Sequence, residues 1–191
     1  MIADHDRSGW FGASDTGMIL GNWNTKTFQS WWATKLGIRS NGFTTKAMYA
    51  GTYFEHSILD AVGAPRKDYQ ILIPELRLRV NLDGDAPVKV WEVKTHSASK
   101  VFKPTKAHRQ QVNVQMFAKL HEEGVLPVAE VVSYGLTDDD YKNFFNDIDP
   151  ERLKTHSITY DEELIRQYLR RIEYLGDCLE KGVWPDARCP A

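Results

Sequence analysis

Asp83 in the word NLDGD and the pair Glu92 and Lys94 in the word VWEVKT have the types and spacing for metal-assisted hydrolysis. On a strand, side chains repeat every two residues, so Glu92 and Lys94 share a face while Val93 turns toward the core. Asp83 can approach that face across a hairpin, with Gly84 allowing a tight or positive-φ turn beside it. Two carboxylates and the intervening Val93 carbonyl offer hard oxygen ligands for Mg²⁺ or Mn²⁺, and the lysine can orient or help deprotonate a water. An isolated match of this kind is ordinarily an exposed salt bridge with a turn aspartate. Here the charges interrupt a strand otherwise composed of Val88, Val90, Trp91 and Val93, and Glu55 upstream interrupts a second apolar stripe. Such charges belong in a cleft where a cation and phosphate supply the missing partners.

The positioning elements follow from periodicity. Ser14 caps a short helix to Leu20, and Asn24 or Thr25 caps a helix from Thr27 to Leu36 that Gly37 ends. Met48, Gly51, Phe54, Glu55, Ile58, Leu59 and Val62 recur at helical spacing, predicting a helix from Thr44 to Val62. Shorter alternation predicts antiparallel strands over Tyr69–Ile73, Leu76–Leu82 and Pro87–Lys94, joined by turns at Pro74-Glu75 and Asp83-Gly84-Asp85. Thr105–Glu123 reads as a long helix closed by Gly124. Pro127–Tyr134 reads as a strand, Thr137–Pro150 as an acidic connection, and Asp161–Lys181 as a final helix. The expected class is α/β, with a small mixed sheet flanked by helices.

The 191 residues suit one domain, 1–191, and 42% apolar content is enough for a core. No apolar run approaches a membrane span and the first residues lack a secretory pattern, so a cytoplasmic protein with no membrane partner is expected. Cys178 and Cys189, both near the C-terminal end, are too few to hold iron–sulfur or structural zinc. The net charge is −2, but it is unevenly spread. Residues 89–119 hold seven basic side chains against one acidic, whereas residues 138–180 hold twelve acidic against six basic. A basic centre can bind an anion while the acidic third repels it. Trp23, Trp31 and Trp32 are expected to pack rather than to stack on bases.

The order of motifs resembles the PD-(D/E)XK nuclease superfamily and, within it, the phage-type alkaline exonucleases, also called the YqaJ-like viral recombinase family. The resemblance is carried by Arg7, Gly12-Ala13-Ser14-Asp15, Lys35-Leu36-Gly37, Met48-Tyr49-Ala50-Gly51 with Glu55, Asp83-Gly84, Glu92-Val93-Lys94, and the helix word Gln111-Val112-Asn113-Val114-Gln115-Met116. It covers about Arg7 to Phe117 and implies a restriction-endonuclease-like core. Asp83, Glu92, Glu55 and the Val93 carbonyl would hold two Mg²⁺ ions, with Mn²⁺ as a substitute. Lys94 would assist the attacking water, and Gln111 would anchor the lysine or the phosphate neighbourhood. Arg7 and Ser14 would match the family's pocket for a terminal 5′-phosphate. His108 stands where relatives commonly present tyrosine, and a histidine in this basic segment could contact phosphate.

The implied activity is 5′-to-3′ exonuclease action on linear double-stranded DNA, leaving 3′ single-stranded tails for phage-type recombination. Lys100, Lys103, Lys106 and Arg109 would follow the backbone by charge. The implied partners are a single-strand annealing recombinase and further copies of the chain, as in the ring-shaped trimers of relatives. The alternatives are an endonuclease of the same superfamily and a noncatalytic DNA-end-binding protein. Retention of Asp83, Glu92 and Lys94 favours an enzyme.

Overall fold

The structure is a computed structural model describing residues 8–39 and 45–187. A 3₁₀ turn, Ala13–Asp15, leads into α1 (Thr16–Ile19) and α2 (Lys26–Lys35), and then come α3 (Lys46–Ala61), β1 (Arg66–Ile73), β2 (Leu78–Ala86) and β3 (Lys89–Ser97). The chain continues through α4 (Lys106–Glu123), β4 (Val128–Leu136), β5 (Leu153–Ile158) and α5 (Glu162–Glu180). The sheet order is β1-β2-β3-β4-β5, antiparallel except where β3 and β4 run parallel. That parallel pair needs a crossover, which α4 provides. The expected small mixed sheet flanked by helices is therefore the observed fold.

The helices begin where local chemistry satisfies their first amides. Thr25, Thr45, Thr105 and Asp161 accept from the amides of Phe28, Met48, His108 and Leu164. Gly124, at φ 74°, ends α4 in the left-handed conformation that costs glycine little. Ser14 does not cap a helix as expected. It lies inside the 3₁₀ turn, and Asp15 accepts from the Gly12 amide instead, at 2.8 Å. The same carboxylate meets buried Lys35 at 2.6 Å and the Trp31 indole at 2.8 Å. The SD and KLG words are thus joined by an ion pair that fixes α2 against the start of the chain. Thr44, the expected first residue of the third helix, lies outside the described residues, as do Arg7 and Cys189.

Two apolar cores cover the two faces of the sheet. One gathers Phe11, Ile19, Trp32, Val80, Leu82, Val90, Val112, Val131, Tyr168 and Leu175 beneath α1, α2, α4 and α5. The other gathers Phe54, Ile58 and Leu59 of α3 with Trp91, Val93, Val132 and Tyr134. Each fully buried aliphatic side chain contributes about 1.5–3 kcal/mol, so these faces determine which side of each strand turns inward. Trp23 and Trp32 are buried, as their packing role requires.

Two expectations about the sheet need correction. Asp83-Gly84-Asp85 is not a turn: all three lie in β2, and the chain reverses at Pro87-Val88. Asp85 is fully buried between Arg66 and Lys119, at 2.5 and 2.7 Å, which removes it from any solvated turn. An additional strand, β5, lies within the sequence LKTHSI, where only Ile158 is buried. Among the described residues, no helix is long and apolar enough to cross a membrane.

Candidate active site

The site forms where β2 and β3 part. Their ladder consists of Gly84–Trp91, Asp85–Val90 and Ala86–Lys89. Beyond it, the Val93 amide donates to Asp83 Oδ2 at 2.8 Å. A carboxylate thus takes the place of a ladder carbonyl at the mouth of the opening.

Strand alternation places Glu92 on the α4 side and Val93 in the α3 core, as the two-residue repeat requires. Glu92 is only 2% exposed. Its Oε1 accepts from Lys94 Nζ at 2.5 Å and Gln111 Nε2 at 2.6 Å, and its Oε2 accepts from Gln115 Nε2 at 2.5 Å. Lys94 also donates to Gln111 Oε1 at 3.4 Å. Gln111 and Gln115 stand four residues apart on α4, so one helix face orients both carboxylate oxygens. Gln111 thus contacts both side chains, the glutamate more closely than the lysine.

Gln115 belongs to the helix word quoted above but was not expected at the site. Its signal was the four-residue spacing from Gln111. Fully buried, it also donates to the Asn81 carbonyl at 3.3 Å, while its Oε1 is buried without a hydrogen-bond donor among the described residues.

Glu55 arrives on α3 because Gly84 lets that helix approach β2. A Cβ on Gly84 would lie 2.5 Å from Leu59 Cδ2 and 3.1 Å from the Ala64 Cβ. The need for glycine is therefore close packing in a strand, not the positive-φ turn that the sequence suggests. The β1–β2 register passes from Lys67–Gly84 to Tyr69–Leu82, and between them Asp68 of β1 adopts φ 53°, a left-handed conformation uncommon outside glycine and best tolerated by Asp and Asn. Asp68 Oδ2 accepts from His56 Nε2 at 2.8 Å. Glu55, His56 and Asp68 present ligand atoms within 4.8 Å of one another, a group that could hold a divalent cation. His56 and Asp68 were absent from the expected site, because the expected first strand began after Asp68.

The charges are mutually unfavourable in the way of a cation site. Burial, together with Asp68 and Glu92, raises Glu55 to about 7 against the lowering influence of His56 and Lys94. Burial also raises Asp83 well above the ordinary carboxylate range, reinforced by Glu92 and Glu55. For Lys94, burial works toward neutrality, but Glu92, Asp83 and Glu55 prevail and hold the ammonium above its usual value. In the metal-free site Lys94 is therefore held as an ammonium. Three carboxylates facing a single lysine leave excess negative charge, and their hard oxygens suit Mg²⁺ or Mn²⁺.

Lys100, Lys103, Lys106 and Arg109 are exposed in the segment leading into α4 and in its first turn. His108 lies among them and is lowered by burial and by Lys94. Its Nδ1 accepts from the Thr105 amide at 3.2 Å, and its ring stacks on Phe102 at 5.5 Å. Ser14 is exposed on the 3₁₀ turn, which packs against α4.

Searches with the sequence match no protein-family model and no curated protein. Solved structures do match. The alkaline exonuclease LHK-Exo from Laribacter hongkongensis, in complex with dAMP, superposes with a TM-score of 0.67 at 19% identity, covering 92% of this chain and 90% of that one. A phage-related exonuclease from Haemophilus somnus gives a TM-score of 0.61 at 15% identity over 90% of this chain and 95% of that one. The fold of this chain is thus the one seen in LHK-Exo and in the phage-related exonuclease.

Proposed function

We propose that the chain is a divalent-cation-dependent deoxyribonuclease that shortens one strand of linear double-stranded DNA from its 5′ end and leaves a 3′ single-stranded tail. The observation carrying this reading is the gathering of Asp83, Glu92 and Glu55 at the opening between β2 and β3, with Lys94 held against Glu92. The shared fold with an alkaline exonuclease that binds dAMP supports the same chemistry.

Asp83, Glu92, Glu55 and the Val93 carbonyl would hold Mg²⁺ or Mn²⁺, in two positions. Bound there, the ions would acidify a water and neutralise charge on the phosphodiester. The remaining work falls to the protein. Gln111 and Gln115 hold the Glu92 carboxylate in one orientation, so little rearrangement is needed when a substrate arrives. Lys94, kept protonated by its acidic neighbours, places positive charge and N–H donors toward an attacking water or a phosphate oxygen. Lys100, Lys103, Lys106, His108 and Arg109 follow the sugar–phosphate backbone, a contact that positions DNA without reading sequence. Arg7 and Ser14 select the terminal 5′-phosphate. Assembly into a ring-shaped trimer would keep the enzyme on its track, and a single-strand annealing recombinase would take up the exposed tail.

The test is a time course on linear duplexes labelled at either strand end, with and without a 5′-phosphate, in Mg²⁺ and in EDTA. Progressive Mg²⁺-dependent release from the phosphorylated 5′ end is expected. Internal cutting would move the assignment to an endonuclease, and binding without cleavage in Mg²⁺ or Mn²⁺ would overturn the enzymatic reading.

A further inference from the structure

Glu55 and His56 are adjacent on α3, and Asp68 reaches them from the irregular point of β1. Their ligand atoms lie within 4.8 Å of one another, and His56 Nε2 is 2.8 Å from Asp68 Oδ2. The donor set differs in kind from the neighbouring Asp83 and Glu92 group, because it includes an imidazole nitrogen. Nitrogen ligation suits first-row transition ions, whereas Mg²⁺ takes oxygen ligands almost exclusively and keeps its waters. Access differs too. The His56 side chain is half exposed and Asp68 is partly so, whereas Glu92 is enclosed. An ion can therefore reach His56 directly from solvent.

We propose that Glu55, His56 and Asp68 form a distinct outer cation position that takes Mn²⁺ in preference to Mg²⁺, with Glu55 shared between it and the inner carboxylates. The left-handed backbone at Asp68 has a purpose in this arrangement: it lets a strand residue break the normal alternation and meet α3. Sharing Glu55 would make the two positions interdependent, since an ion at either one neutralises the carboxylate that borders the other. The consequence for cleavage rests on the nuclease reading, but ion binding does not.

The experiment uses tag-free, full-length Asp83→Asn protein, in which the inner group is impaired. Mn²⁺ binding is followed by electron paramagnetic resonance, and Co²⁺ binding by visible absorption. One ion is expected to remain in Asp83→Asn, and Mg²⁺ is expected to compete at least tenfold less well. Adding His56→Ala should weaken Mn²⁺ binding at least tenfold while changing Mg²⁺ binding little. Asp68→Asn, which keeps a residue tolerant of positive φ, should weaken it similarly. Mn²⁺ affinity indifferent to His56→Ala, or no Mn²⁺ retained in Asp83→Asn with its fold intact by circular dichroism, would overturn the proposal. Failure of wild-type protein to cut DNA in Mg²⁺ would instead strike the nuclease reading and leave this result standing.

Discussion

Glu55 keeps its proton to about pH 7 because ionising it adds another negative charge to a partly dry cleft that already holds Asp68 and Glu92. The sign of the consequence is definite. Its folded-state value lies above the 4.5 of a free glutamate, so the folded state binds more protons between those values, and metal-free stability falls as pH rises through that window. Glu55→Gln should therefore stabilise the metal-free protein at pH 8 by about 1–3 kcal/mol, allowing for solvent screening of a partly exposed group. Calorimetry at pH 5 and pH 8 checks this: the stabilising effect should be small at pH 5 and full at pH 8. Activity should move the other way. The Mg²⁺ concentration needed for cleavage should fall as pH rises toward about 7, because a proton on Glu55 competes with the ion, and Glu55→Gln should remove that dependence. Glu92→Gln should abolish turnover while preserving melting behaviour and DNA-end binding. Gln111→Ala, which removes one donor from Glu92, should lower activity about 10–100-fold, measured alongside thermal melting.

At the scale of elements, the site depends on how closely α3 approaches β2. Gly84→Ala would place a methyl 2.5 Å from Leu59 Cδ2, which should destabilise the fold by about 1–3 kcal/mol and displace the helix that carries Glu55. Denaturant unfolding checks the first effect, and a double-mutant cycle with Leu59→Ala, which opens space, should show coupling between the two. Helix positions were legible in the sequence because threonine caps and apolar repeats act locally, and Glu92 with Lys94 was legible because two-residue alternation fixes a strand's faces. Asp83-Gly84-Asp85 has turn chemistry, but Asp85 is claimed by Arg66 and Lys119 from distant parts of the chain, information that no local window contains. β5 is not legible in the sequence because an edge strand with mostly polar, exposed residues carries little apolar signal. The meeting of His56 with Asp68 is hidden for a related reason: the left-handed residue interrupts the alternation that marks β1.

Across the whole molecule, charge is divided between a basic central segment and an acidic C-terminal third. If Lys100, Lys103, Lys106 and Arg109 track phosphates, each alanine substitution should reduce the salt dependence of DNA binding by about one counterion, uniformly across sequences. Fluorescence anisotropy on unrelated duplexes over a salt series checks this. The seam between β2 and β3 also bears on the molecule as a whole. Beyond three backbone pairs, its strands are joined by side chains, Asp83 to the Val93 amide and Gln115 of α4 to both Asn81 and Glu92, while Lys119 of the same helix holds Asp85 within the ladder. Helix α4 is a clasp across this seam, and one end of the clasp grips an ionisable cleft. Amide hydrogens along the seam should therefore exchange by a local opening linked to Asp83, whose carboxyl holds its proton more tightly when closed, so that Val93 loses its protection as pH rises, before the β3–β4 ladder does, once the intrinsic pH dependence of exchange is divided out. The same split that exposes the carboxylates makes this the joint where the sheet breathes.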